Sequence, residues 1–298
     1  MGNAKVSERA LVLGGGGASG NAWLVGIIAG LFDAGLDVTL ADLIIGTSAG
    51  STAAAQITSA PPTELLAAIL AVASLPRPES DRSDRKAAPI RPLHNHMETT
   101  TAIITAAKDA TDMRQRMGAW ALERSATLGD AAQMQWRAIV AARLPIHLWP
   151  HRRMLVTAVN AHTGEPIVFD RHSEVDLIDA VAASTAGGFA CRIGDNWYID
   201  GGYRADVNAD LAIGYGRVLV IVPLGDKTRK PLAWGLHLAA QVEELRARGS
   251  SVEIIIPDND SQNAIGIGMH LMDLSTRRPA AQAGYNQGKA LAGRITFI

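Results

Sequence analysis

Short uncharged runs at residues 10–13, 43–45 and 218–222 alternate with longer segments whose apolar residues recur at helical spacing. Runs of that length, bounded by glycine or polar turns, predict strands buried on both faces. Residues 154–159 and 166–169 predict two more strands joined by a turn at Gly164. Residues 192–193 and 197–199 flank a turn at Gly194-Asp195-Asn196, and residues 252–256 predict a last strand. Helices are predicted over 21–34, stopped by Gly35, over 48–59, and from Thr63, where Leu65, Leu66, Ile69, Leu70 and Val72 follow helical spacing. Further helices are predicted over 174–185, over 232–248 up to Gly249, and through most of the tail from about residue 261. Strands alternating with helices predict an α/β fold whose sheet is covered on both sides.

The pattern stops between residues 76 and 92, where four prolines, five basic and three acidic residues stand. That composition predicts a solvated loop or lid edge, with contact to anionic lipid heads as the sharper use of its cations. Residues 97–144 predict helices rich in Ala, Met, Trp and Gln. We read 76–150 as a loop and helical cap inserted in a single domain over 1–298. Residues 10–32 carry no charge and are long enough for a membrane span. Four consecutive glycines, Ser19 and Asn21 interrupt them where such a helix must be most apolar, so strand, glycine loop and core helix is the better reading.

Composition narrows the function. With 298 residues, 48% hydrophobic and 19% charged, the chain can bury a sizeable core. A net charge of −1 gives no cation excess for nucleic acid. The one cysteine, Cys191, has no partner for an internal disulfide or a zinc site, which fits a reducing compartment. The polar N-terminus shows no signal peptide, so a cytoplasmic protein with at most peripheral membrane contact is expected. Oligomeric state is not legible.

The densest chemistry is Gly46-Thr47-Ser48-Ala49-Gly50, between the run 43–45 and the small residues 51–55. Strand, sharp turn and helix with a serine at the apex make a nucleophile elbow. Gly46 and Gly50 leave room for the strained turn, and the next helix presents its positive end to the serine. Upstream, Gly15, Gly16, Gly17 and Gly20 follow a strand. They match the dinucleotide fingerprint, with Asp42 lying 22 residues beyond Gly20 as the candidate ribose acid. The same glycines can instead aim their N–H groups at one point as an oxyanion hole. The elbow strand argues for the second use, because Asp42 precedes that strand instead of ending it.

A serine needs a base. Among eight histidines, His237 and His270 stand late enough for a Ser-His-Asp order, though both fall in helical patterns. Asp200 is the better candidate: Tyr198-Ile199-Asp200-Gly201-Gly202 puts a carboxylate at a strand end, and the two glycines allow a tight turn and close approach.

The glycine loop, the Gly-x-Ser-x-Gly elbow and the distant Asp-Gly-Gly together resemble the patatin-like phospholipase family, over about residues 11–222. Ala182-Ala183-Ser184-Thr185-Ala186 resembles the family segment that leads to the aspartate. The resemblance implies a three-layer α/β/α sandwich with a central, mostly parallel sheet. It also implies a serine esterase that degrades lipid esters with no metal or organic cofactor. Ser48 would be the nucleophile, Asp200 the base, and Gly15, Gly16 and Gly17 the oxyanion loop; Gly20, Gly46, Gly50, Gly201 and Gly202 complete the motifs. The chain departs from the family at Ser19, where an Arg or Lys is usual, at Trp23, where a histidine is frequent, and before the aspartate, where Gly187-Gly188-Phe189-Ala190-Cys191 replaces a proline-rich turn. The competing readings are a lipid-binding member of the fold without activity and a dinucleotide-binding protein. Met113, Met117, Trp120, Met134, Trp136 and Trp149 are expected to be core, with some of them lining an acyl channel.

Overall fold

The computed structural model describes residues 8–71, 96–266 and 271–297; Val72, the loop expected over 76–92 and His270 lie outside them. The chain opens with β1 (Arg9–Leu13), α1 (Gly17–Asp33), β2 (Leu43–Gly46), α2 (Ala49–Ile57) and α3 (Pro62–Ala71). Then come α4 (His96–Ala106), α5 (Ala110–Ala141), β3 (Arg153–Asn160), β4 (Pro166–Phe169), α6 (Leu177–Ser184), β5 (Cys191–Ile193) and β6 (Asn196–Asp200). The order closes with β7 (Arg217–Ile221), α7 (Leu238–Ala247), β8 (Ser251–Ile255), α8 (Asn259–Ile265) and α9 (Arg277–Leu291).

Three boundaries differ from the sequence expectation. α1 begins at Gly17, not residue 21: Gly17 takes φ +63°, and the Leu271 carbonyl accepts from the Ser19 amide, satisfying one of the helix's first free N–H groups. α6 begins at Leu177, because Glu174 sits at φ +55° before it. The helix expected over 232–248 is α7 alone, since Gly235 at φ +67° closes a separate short turn over 232–234.

The eight strands form one sheet in which β3, β2, β1, β7 and β8 run parallel. β4 and β6 pair antiparallel with β3, and β5 pairs antiparallel with β6. Register places β2 and β6 on the same edge of β3. Val156 faces both Gly46 of β2 and Phe169 of β4, so β2 and β4 occupy opposite edges. Ala158 faces both Ile167 of β4 and Asp200 of β6, so β6 also lies opposite β4. β6 therefore takes over the edge of β3 that β2 vacates when its chain turns away at Gly46.

Side-chain alternation along the strands splits the core. Leu11, Leu13, Ile44, Leu219 and Ile221 pack under α1, α2 and α9, whereas Ala10, Val12, Leu43, Ile45, Val218 and Val220 pack under α7. The result is the three-layer α/β/α arrangement. α1 and α9 touch backbone to backbone: a Cβ on Gly26 would fall 2.1 Å from the Ala281 carbonyl oxygen, and one on Gly288 would fall 2.3 Å from that of Ile27. α5 breaks at Gly129 (φ +73°) and packs on α6 and the β3/β6 end of the sheet. No helix among the described residues is long and apolar enough to cross a membrane.

Candidate active site

β2 ends at Gly46, and the chain turns through Thr47 and Ser48 into α2. Ser48 holds φ +53° and ψ −120°, a conformation that costs a non-glycine residue of order 1–3 kcal/mol. The flanking glycines make that turn possible: a Cβ on Gly46 would lie 2.4 Å from the Ser51 Cα, and one on Gly50 would lie 2.0 Å from the Leu13 carbonyl oxygen. The Ser48 N–H donates to Ser184 Oγ at 3.0 Å. Its hydroxyl donates to Asp200 Oδ2 at 2.7 Å.

Asp200 reaches that position through β6. It lies opposite Ala158, two residues beyond the Val156 that faces Gly46, so it stands about 7 Å past the end of β2 along the same edge. The residue then caps a short turn over 201–203, its Oδ1 accepting from the Gly202 N–H at 2.7 Å. The tight turn needs Gly201, where a Cβ would meet Thr157 Oγ1 at 2.2 Å. Burial pushes the Asp200 carboxyl up to about 6, against the Gly202 N–H, the Ser48 hydroxyl and the Lys230 charge, which all favour the ionised form.

The glycine loop stands beside the elbow because β1 pairs parallel with β2, Leu13 opposite Gly46. Gly15 faces Ser48 so closely that an added Cβ would lie 3.4 Å from the serine Cβ. Gly16 presses on Pro223, and Gly17 on the Leu271 carbonyl. Gly20 belongs to α1 and also rests on Pro223. Ser19 is buried, its hydroxyl donating to the Leu271 carbonyl at 3.3 Å.

Several contributors carry no sequence signal of their own. Asn208, buried in the left-handed conformation, donates to Thr47 Oγ1 at 2.9 Å, to Thr157 Oγ1 at 3.2 Å and to the Gly201 carbonyl at 3.1 Å. It ties the elbow to the aspartate turn. Lys230 donates to the Gly202 carbonyl at 2.8 Å and pairs with Asp206. An asparagine or a lysine in a loop announces neither role.

The other candidates fall elsewhere. Asp42 precedes β2 and accepts from the Arg9 amide at the far end of β1, away from the glycine loop. The dinucleotide fit fails on that geometry, because a ribose acid belongs at the end of the strand nearest the loop. His237 precedes α7 at its N-cap, with its Nδ1 buried and unpartnered among the described residues. Neither it nor any other described histidine lines the cavity at Ser48. Cys191 is buried, and burial pushes its thiol well above the usual range. Of the six apolar cap residues, only Trp136 lines that cavity. Met113 and Met117 are fully buried, and Met134 is exposed. No group of three His, Cys, Asp or Glu among the described residues is placed to hold a metal ion.

Among solved structures, the chain is similar to VipD from Legionella pneumophila, at 14% identity and a TM-score of 0.44, over 97% of this chain and 67% of that one. It is also similar to the type III effector protein ExoU, at 14% identity and a TM-score of 0.32, over 95% of this chain and 54% of that one. No curated protein matches it. The family described as patatin-like phospholipase matches residues 11–213, more than half of the chain, and the protein therefore belongs to that family.

Proposed function

We propose that this protein cleaves carboxylic esters of lipids with Ser48 as nucleophile and Asp200 as its base. Family members are lipid acyl hydrolases, which supports the general activity. The observation that carries the assignment is the 2.7 Å hydrogen bond from the Ser48 hydroxyl to Asp200 at the strained elbow.

The reaction runs in two steps. The Ser48 Oγ bonds to the ester carbonyl carbon while Asp200 takes its proton. Negative charge collects on the carbonyl oxygen, toward the N–H groups of Gly15, Gly16 and Gly17 and the positive end of α1, whose first turn carries no acid. The Ser48 amide is occupied by Ser184, so the loop supplies the donors. The tetrahedral species expels the alkoxide, which leaves as the alcohol with the proton from Asp200. Water then gives a proton to Asp200 as it attacks the acyl-serine; the bond to Ser48 Oγ breaks, the fatty acid leaves, and Ser48 takes the proton back from Asp200. The peripheral contact expected with a lipid surface finds support in Met272 and Leu274, 43% and 59% exposed on the stretch beside the cavity.

A fluorophosphonate probe tests this reading. Wild-type protein is expected to be labelled, and Ser48→Ala to lose the label while keeping its melting curve. Asp200→Asn is expected to lose at least about a hundredfold in ester hydrolysis. Folded protein that takes no label supports a lipid-binding member without activity.

A further inference from the structure

The cavity at Ser48 collects positive charge from three separate elements. Arg143, just after α5, and Arg277, the first residue of α9, line it with Ser48, Ala18 and Trp136. Neither guanidinium forms an ion pair with a described residue, and no carboxylate lines the cavity. Arg277 stands at the positive end of a 15-residue helix whose first turn holds no acid. The N-terminal end of α1, also without an acid, lies against the same cavity. Like charges gathered in a partly buried space repel unless an anion joins them. Arg143 is nevertheless held in place. Its guanidinium lies over the Trp136 ring at 5.6 Å, and its backbone carbonyl accepts from Gln56, which in turn accepts from Asn21 of α1. Burial, and then the Arg277 charge, lower its proton affinity, as expected of two cations facing each other.

We propose that Arg143 and Arg277 form an anion subsite that takes the phosphate of an acyl glycerophospholipid, so that anionic phospholipid esters are preferred to neutral glycerides. This rests on Ser48 being the nucleophile. Guanidiniums suit the task, because their planar forks match phosphate oxygens. The glycine loop contributes no side-chain charge, since Ser19 is neutral and turned to Leu271. The cation needed near a headgroup thus comes from α9 and the end of α5.

The test compares two esters with identical acyl chains, dihexanoyl phosphatidylglycerol and dihexanoylglycerol, on the full chain below micelle-forming concentrations. The wild type is expected to favour the phospholipid in kcat/KM. In Arg143→Gln or Arg277→Gln the ratio of the two kcat/KM values is expected to fall about tenfold, as for loss of a charged hydrogen bond, with most of the change in KM. Arg277→Lys is expected to keep most of the ratio. A ratio that stays at the wild-type value in both glutamine variants overturns the proposal, whether or not the individual rates fall. A second arm is independent of turnover: calorimetric titration of Ser48→Ala protein with glycerol 3-phosphate. Saturable binding that weakens about tenfold on adding Arg143→Gln supports the subsite. No binding, or inorganic phosphate bound as tightly as glycerol 3-phosphate, overturns its assignment to a lipid headgroup. If wild-type protein hydrolyses neither ester, the hydrolase reading fails by itself and the titration alone decides the subsite.

Discussion

To act as the proposed base Asp200 has to be ionised, yet burial raises its carboxyl to about 6. The rate of p-nitrophenyl butyrate hydrolysis is therefore expected to hold above that pH and to fall about tenfold per unit below it. A kcat/KM profile whose acid limb lies near 4 instead would show that desolvation does not control the base. The same shift bears on stability. The folded state binds this proton more tightly than the unfolded chain, so the group's stabilising contribution is complete below 3.8 and lost as pH rises to about 6. Above that pH the ionised carboxylate is a standing cost. Asp200→Asn, which keeps an oxygen for the Gly202 N–H, is expected to raise urea stability at pH 7.5 by on the order of 1–3 kcal/mol while abolishing turnover. The candidate pair Ser48 and Asp200 was legible in the sequence because Ser48 sits between two glycines and Asp200 directly before two, each set serving its own turn. Ser184 entered only as part of the segment resembling the family's run toward the aspartate, with no contact foreseen, and Asn208 was not legible. Their partners at the elbow lie 136 and 161 residues away, and nothing local marks a side chain chosen for such a contact.

The α1–α9 pair shows how an element can be read correctly and its packing missed. Both helices were expected, but not that glycines would sit between them. Gly26 and Gly30 of α1, with Gly284 and Gly288 of α9, let the two backbones approach to contact. In an exposed helix Gly→Ala stabilises by up to about 1 kcal/mol. At Gly284 a Cβ would meet the Trp23 carbonyl oxygen at 2.5 Å, so α9 has to move away. Gly284→Ala is therefore expected to destabilise by about 1–3 kcal/mol, whereas Gly293→Ala, with nothing within 4 Å, stays near neutral. Thermal melts of the two variants check the sign. A stabilised Gly284→Ala would mean that the helices are not held at this distance. The early start of α1 was hidden for a related reason: its first turn is completed by the Leu271 carbonyl, 252 residues beyond Ser19.

The whole molecule decides whether substrate reaches this chemistry. Strand alternation made the α/β class legible, but nothing in the sequence said that β6 would inherit the edge of β3 left by β2, which is what brings serine and aspartate together. Nor did it say that the C-terminal stretch before α9 would roof the site. The cavity at Ser48 measures about 40 Å³, room for a few waters, while pockets that take drug-sized ligands run to about 300–1,000 Å³. An acyl chain thus has to displace part of the lining. Arg277 is anchored by α9, itself packed tightly on α1, whereas Met272 is half exposed and follows a residue held to α1 through the Leu271 carbonyl. The stretch over 271–276 is the part that can yield. Ser19→Ala removes one of the two hydrogen bonds that the Leu271 carbonyl accepts from Ser19, worth about 0.5–1.5 kcal/mol, and leaves the backbone bond in place. If opening limits the reaction, that variant is expected to raise kcat/KM for p-nitrophenyl decanoate about two- to tenfold and to change the acetate ester far less, since a short chain asks for little displacement. Equal gains on both esters would point to the oxyanion loop itself. No gain on the long ester would mean that acyl chains enter by another side of the cavity.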